Sequence, residues 1–253
     1  MSDTDDQVDA ETQPLLAHLA ELRSRLLRAV LAVLIVFFPL FYVANDLYTW
    51  VAGPLRAVLP EGSTMIATEV ASPFLTPFKL ALVSAFFLAI PYVLHQVWGF
   101  VSPGLYRHEK RLAIPLLASS VVLFYAGMAF AYYAVFPLVF AFLTSAGPED
   151  VAIATDINAY LSFVLKLFFA FGFAFEIPIA TLLMVWSGAA DVASLKAKRA
   201  YVVVGCFLMG MLLTPPDVIS QLLLAIPMWL LYELGILFAR FVRKRDQGED
   251  GGE

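Results

Sequence analysis

Charge is scarce in this sequence. Only 15% of its 253 residues are Asp, Glu, Lys or Arg, where an ordinary soluble domain carries about 25%. Hydrophobic residues make up 61% and mean hydropathy is +0.81. A soluble domain of this size could not hide so much apolar surface, so the chain is read as a polytopic membrane protein. Its single cysteine, Cys206, lies in an apolar run and has no second thiol to pair with, so no internal disulfide staples the fold. The three histidines, His18, His95 and His108, are scattered. No HExxH, GxGxxG, P-loop or Cys/His cluster with metal-ligand spacing is present. Metalloenzyme, dinucleotide-enzyme and ATPase readings therefore lack support, and neither a cofactor nor a nucleic-acid partner is implied. The opening stretch MSDTDDQVDAET is acidic and lacks the basic region that starts a cleavable signal peptide. No internal repeat is found, so an inverted-repeat transporter gains no support.

What the sequence has in abundance is long apolar runs. About 20 apolar residues span a hydrocarbon core of roughly 30 Å, and six runs qualify as candidates: 26–44, 74–98, 112–143, 160–186, 200–213 and 218–239. They lack the alternation of barrel strands, and backbone groups in lipid must be satisfied within the segment, so each reads as a helix. The third is long enough to include a tilted or kinked part beyond the bilayer. The fifth is short and stops at LLTPPDV, where Pro215 and Pro216 offer no donors for a continuing helix. Such a short pair of spans would thin the bilayer locally. Prolines 91, 115, 137, 178 and 227 fall within or near spans and permit bends, which predicts a curved, concave all-α bundle. The organisation expected is an acidic tail over 1–13, one membrane domain over 14–240 and a charged tail over 241–253.

The few cations are placed asymmetrically. Arg23, Arg25 and Arg28 precede or open span one; Arg107, Lys110 and Arg111 lie between spans two and three; Lys196, Lys198 and Arg199 lie between four and five; Arg240, Arg243, Lys244 and Arg245 follow six. The opposite loops hold Arg56 alone, while Lys79 and Lys166 lie within spans. Positively charged loops stay in the cytoplasm, so both termini are expected there. The loop over 45–73 and the acidic segment TSAGPEDVAIATDI, with their Pro and Gly punctuation, are then expected to form an extracytoplasmic cap containing short helices.

Polar groups inside the runs are the candidate functional residues. Glu176, in FAFEIPIA, lies ten residues before Trp186, about 15 Å along a helix and close to the midplane. An ionised carboxylate there costs at least ~2.5–3.5 kcal/mol on insertion scales. Two readings stand open: a neutral Glu bonded to a neighbouring helix or to the backbone near Pro178, or a polar spot that draws water or substrate into the membrane. Lys166 can snorkel outward, and Glu233 can reach interfacial water or pair. Ser119, Ser120 and Ser162 read as small residues that aid helix packing. On the cytoplasmic face stand Glu21, in HLAELRSRLLRAV, and Glu109, in FVSPGLYRHEKR. Glu21 is placed to pair with Arg25 at i,i+4 for ~0.2–0.5 kcal/mol, or to receive something basic; the residues alone leave both open.

The segments QPLLAHLAELRSRL, STMIATEVASPFLTPFKLAL, FVSPGLYRHEKR, FAFEIPIA and GMLLTPPDVISQLLLAIPM, in this order from Gln13 to about Arg240, resemble the TatC family, receptor subunits of twin-arginine protein translocases. The resemblance implies a receptor without enzymatic activity, in a bacterial cytoplasmic (inner) membrane. It would bind twin-arginine signal peptides of folded cargo and export that cargo on the proton motive force. It assigns the arginine pair to Glu21 and Glu109 and puts Phe100 beside them. It puts Glu176 on the concave membrane face, and Pro54 in the external cap at a position important for activity. Met211, Thr214 and Gln221 match the docking face for single-span TatA- and TatB-type subunits, with Asp217 on that external edge, in a complex expected to hold several copies of the chain. The rival reading, a proton-coupled small-solute secondary transporter using Glu176, would instead move protons with solute unaided by partners.

Overall fold

The computed structural model describes residues 3–57, 64–101, 110–145, 154–213 and 218–249, with side-chain surroundings over 19–57, 64–100, 114–145, 154–213 and 218–240. These residues are helical, apart from turns and one isolated parallel bridge. In chain order the helices are α1 Asp3–Tyr42, α2 Ala44–Val51, α3 Gly53–Arg56, α4 Ser72–Val101, α5 Lys110–Phe130, α6 Phe136–Ser145, α7 Ile157–Ala174, α8 Ile177–Trp186, α9 Val192–Ala197, α10 Arg199–Leu213 and α11 Val218–Glu249. Among the described residues five segments are long and apolar enough to cross a membrane: Leu19–Tyr42, Ser72–Phe100, Ile114–Ser145, Ile157–Trp186 and Val218–Arg240. The sixth expected span, Arg199–Leu213, is a short apolar helix. At 15 residues it rises only about 22 Å. The acidic stretch that composition sets apart as a tail is continuous with the first span, because α1 is one helix from Asp3 onward.

Two of the five prolines interrupt their spans and three do not. Pro91, Pro115 and Pro227 lie inside helices that continue through them. In the third span a π turn over Ala131–Val135 joins α5 to α6, with Phe136 N–H donating back to Ala131. Pro137 follows directly; it has no N–H for the Tyr133 carbonyl, and the wider turn takes up the mismatch. The bulge thus lies within the single 32-residue segment Ile114–Ser145. In the fourth span α7 ends at Ala174 and α8 begins at Ile177, with Pro178 in its first turn, where a missing donor does no harm.

The helices stand in an open row. α1 packs along α4; α4 and α5 pack on α7; α8 and α10 both pack on α11. None of the apolar window of α1 is buried, which puts it at one edge. The core lies where spans two, three and four meet, filled by Leu80, Ile90, Phe124, Phe136, Leu161, Leu167 and Phe171. Ring pairs such as Phe87–Phe169 at 4.8 Å and Phe136–Phe168 at 4.9 Å carry much of it. Lipid is as apolar as leucine, so close packing rather than exclusion from water holds these helices together. Two glycines allow the approach. A Cβ at Gly127 would collide with the Phe171 carbonyl, and one at Gly172 would meet the Phe124 ring at 2.8 Å.

At the loop end α2 and α3 form a cap. Tyr160 of α7 donates to the Val51 carbonyl at 2.9 Å, and Tyr132 donates to that of Trp50 at 3.1 Å while stacking on its indole at 4.6 Å. The two expected cap segments meet directly. Ile66 N–H donates to Thr155 O at 3.0 Å and Ile157 N–H to Ile66 O at 2.9 Å.

Candidate functional site

The end of the molecule opposite the cap gathers α1, α4, α5 and α8. Arg25 reaches Glu21 one helical turn back: Nε and Nη2 both donate to the same oxygen, Oε1, at 2.9 and 2.6 Å. The Arg25 guanidinium then lies against Gly99 of α4, where any Cβ would strike it. The missing side chain gives the cation room to lie against the α4 backbone; a Cβ there would make the flexible end of Arg25 shift. Phe100 is the next residue of α4, so this contact brings Glu21 and Phe100 to one end of neighbouring helices. Below them Trp98 is buried with Leu116 of α5 and Ile179 of α8, which anchors the end of α4. Glu21 itself remains 38% exposed, against 24% for Arg25. Oε2 of Glu21 takes no hydrogen bond among the described residues. Glu109, the second expected carboxylate, lies outside the described residues.

Glu176 sits at the break in the fourth span. Its N–H donates to Phe173 O at 3.0 Å and its own carbonyl accepts from Ala180 N at 2.9 Å, so its backbone bridges α7 and α8. The carboxylate is partly buried, and Oε1 has no close hydrogen-bond partner among the described residues. Ser120 of α5 faces the carboxyl with its hydroxyl. Sequence reading put Ser120 down to helix packing; a residue 56 positions away gave no signal that it faces Glu176.

The remaining candidates separate. Pro54 is in the first turn of α3, where its fixed φ suits the start of a four-residue helix that buries Leu55 and follows buried Ala52. Met211, on the outer face of α10, is 58% exposed. Gln221 of α11 donates from Nε2 to Phe207 O at 2.9 Å, pinning α11 to α10 across the close contact at Gly210. Thr214 and Asp217 lie outside the described residues. Lys166 is exposed at the rim of an apolar recess formed with Phe173, Met209 and Met228. Lys79 donates to Ser162 at 2.7 Å, tying α4 to α7. Glu233 pairs with Arg199, which opens α10.

Asp156 is the polar anchor of the cap. Oδ1 accepts from Asn158 and Ala159 N–H at 2.9 and 2.8 Å, capping α7, while Oδ2 accepts from Thr68 N and Oγ1 at 3.0 and 2.8 Å. Those donors hold its carboxyl down at about 2. Nearby, burial pushes the Tyr48 hydroxyl up to about 12.

Comparison with known proteins places these observations. Residues 17–227 match the family model described as Sec-independent protein translocase protein (TatC). The chain is 65% identical over 237 residues to the Sec-independent protein translocase protein TatC of Azotobacter chroococcum mcd 1, covering 94% of this chain and 93% of that one. It is 57% identical over 231 residues to the TatC of Escherichia coli (strain K12), covering 91% and 90%. A solved crystal structure of the twin-arginine translocase receptor TatC superposes with a TM-score of 0.80 at 38% identity, over 88% of this chain and 98% of that one.

Proposed function

As this chain belongs to the TatC family, a multi-pass receptor component of the Sec-independent, twin-arginine protein translocase, we propose that it binds the paired arginines of cargo signal peptides through Glu21 and Glu109. The observation that carries this reading is the one-sided engagement of Glu21. Arg25 makes both its bonds to Oε1, which orients the carboxylate, and Oε2, without a partner among the described residues, is offered to an incoming guanidinium. Charge-assisted guanidinium–carboxylate bonds contribute about 1.5–3 kcal/mol each. A lysine ammonium lacks the planar fork, so a twin-lysine signal is discriminated against. Phe100, next to the glycine that seats Arg25, borders the site and offers its ring to the peptide.

The same reading assigns the finer roles. The cation-rich end lies in the cytoplasm of a bacterial inner membrane, with the α2–α3 cap outside. Glu176 presents a polar group along the path of the signal peptide's apolar part. The exposed outer face of α10 with the turn after it, through Met211, Thr214, Asp217 and Gln221, docks single-span TatA- and TatB-type subunits. Several copies assemble in the working complex, and transport of folded cargo draws on the proton motive force.

The test is crosslinking of a twin-arginine signal peptide to the assembled translocase. Changing Glu21→Ala together with Glu109→Ala is expected to weaken capture at least ten-fold, to the level of a twin-lysine peptide on the unaltered chain. Undiminished capture by the double variant would remove the assignment of this site.

A further inference from the structure

A second charged site lies between α10 and α11, apart from the residues assigned above. Gly188, at φ 72°, ends α8, and Asp191 caps α9 by accepting from Ser194 N. That turn delivers Arg199 to the start of α10, where it pairs with Glu233. Arg240 stands seven residues beyond Glu233 on α11, two turns or about 10 Å further along the axis. It is exposed and has no ion pair among the described residues. Arg199, Glu233 and Arg240 line one recess of about 400 Å³, whose remaining wall includes Leu230, Leu234 and Leu237.

The levels of these groups identify the occupant. Arg240 is the last residue of the apolar span Val218–Arg240, and Arg199 is the first of the short apolar helix Arg199–Leu213. Arg240 therefore stands at the hydrocarbon boundary, the depth at which lipid phosphates lie, while the Arg199 guanidinium is drawn toward Glu233, about 10 Å deeper along α11. Leu234 and Leu237 lie between the levels of Glu233 and Arg240, Leu230 lies about one turn deeper than Glu233, and all three are 43–49% exposed. Two cations with one carboxylate leave the recess with an excess positive charge, and Glu233 holds Arg199 in place without engaging Arg240. We propose that this recess holds an anionic phospholipid, its phosphodiester between Arg199 and Arg240 and one acyl chain along Leu230, Leu234 and Leu237. Basic pockets between membrane helices at headgroup level take acidic lipids in this way. A soluble acidic peptide would leave the apolar leucine wall of the recess unused.

The experiment compares the purified full-length chain in detergent with phosphatidylglycerol and phosphatidylcholine of identical acyl chains. Retained lipid is read by native mass spectrometry and the lipid-dependent rise in Tm by thermal unfolding. Phosphatidylglycerol is expected to be retained about ten-fold over phosphatidylcholine. Arg240→Gln abolishes that preference and the Tm rise while leaving the lipid-free Tm unchanged. Arg240→Lys keeps part of it, and Arg56→Gln, in the cap, keeps all of it. Equal retention of the two lipids, an unaltered preference in Arg240→Gln, or an equal loss in Arg56→Gln would overturn the proposal. So would full displacement by glycerol phosphate, which has no acyl chain. A variant that lost a single-span translocase subunit on copurification but kept its phosphatidylglycerol would assign the recess to a partner helix instead.

Discussion

Asp156 uses its two oxygens on two parts of the chain: one caps α7 and the other clasps Thr68, 88 residues earlier. Its carboxyl sits at about 2 in the folded protein against an ordinary 3.8. A depressed folded value means that its contribution is fully present above the unfolded value and is lost as pH falls through the folded one. The cap is therefore expected to loosen between about pH 4 and pH 2, followed by the fluorescence of Trp50. Asp156→Asn, which can still cap a helix, should lower cap stability at neutral pH and flatten that acid transition. At the same scale, the Glu21–Arg25 pair was legible from i,i+4 spacing alone. Which oxygen takes no partner among the described residues was not, because that depends on how the guanidinium lies between Glu21 and the neighbouring α4.

Elements show the same division. The spans and their ends could be read because each is a local run of apolar residues. The broken fourth span, with Pro178 just after the break, and the π turn before Pro137 were only half legible. Five prolines gave equal warning, and only the structure shows that the spans are interrupted beside Pro137 and Pro178 and continue through the other three. Close crossings give a sharper test. At Gly127 a Cβ meets the Phe171 backbone, whereas at Gly205 of α10 nothing lies within 4 Å. Gly127→Ala is expected to lower stability by about 1–3 kcal/mol, since backbone cannot give way as a flexible side chain can. Gly205→Ala should be neutral or stabilising by about 0.5–1 kcal/mol, through helix propensity. Denaturant unfolding in detergent micelles compares the two; equal effects would mean that the crossing tolerates expansion.

At the scale of the whole molecule, the row of helices sorts its charges to one end. Arg25 of α1, Arg199 of α10 and Arg240 of α11 lie at the end opposite the cap, and Arg56 in the cap. Reporter fusions to the two termini are expected to register both in the cytoplasm, and a fusion within 45–57 outside it. A terminus found outside would reverse the assignment of the Glu21 site to incoming cargo. Among the described residues, the open row also leaves the face of α1 turned away from α4, and the outer face of α10, uncovered, and other subunits of a translocase can pack there.

The sequence by itself determined the class, the spans and the sorting of cations, because transfer into lipid is a sum over residues and needs no knowledge of neighbours. The five ordered motifs likewise carried the family. Only the tertiary structure decided which side chains meet: Lys79 with Ser162, Arg199 with Glu233, Ser120 facing Glu176, Ile66 beside Asp156. Helices that are apolar nearly all round carry no polar stripe to mark the face that turns inward. Their rotation and register are set by close packing at a few glycines and aromatic rings, and that fit exists only once the helices are together.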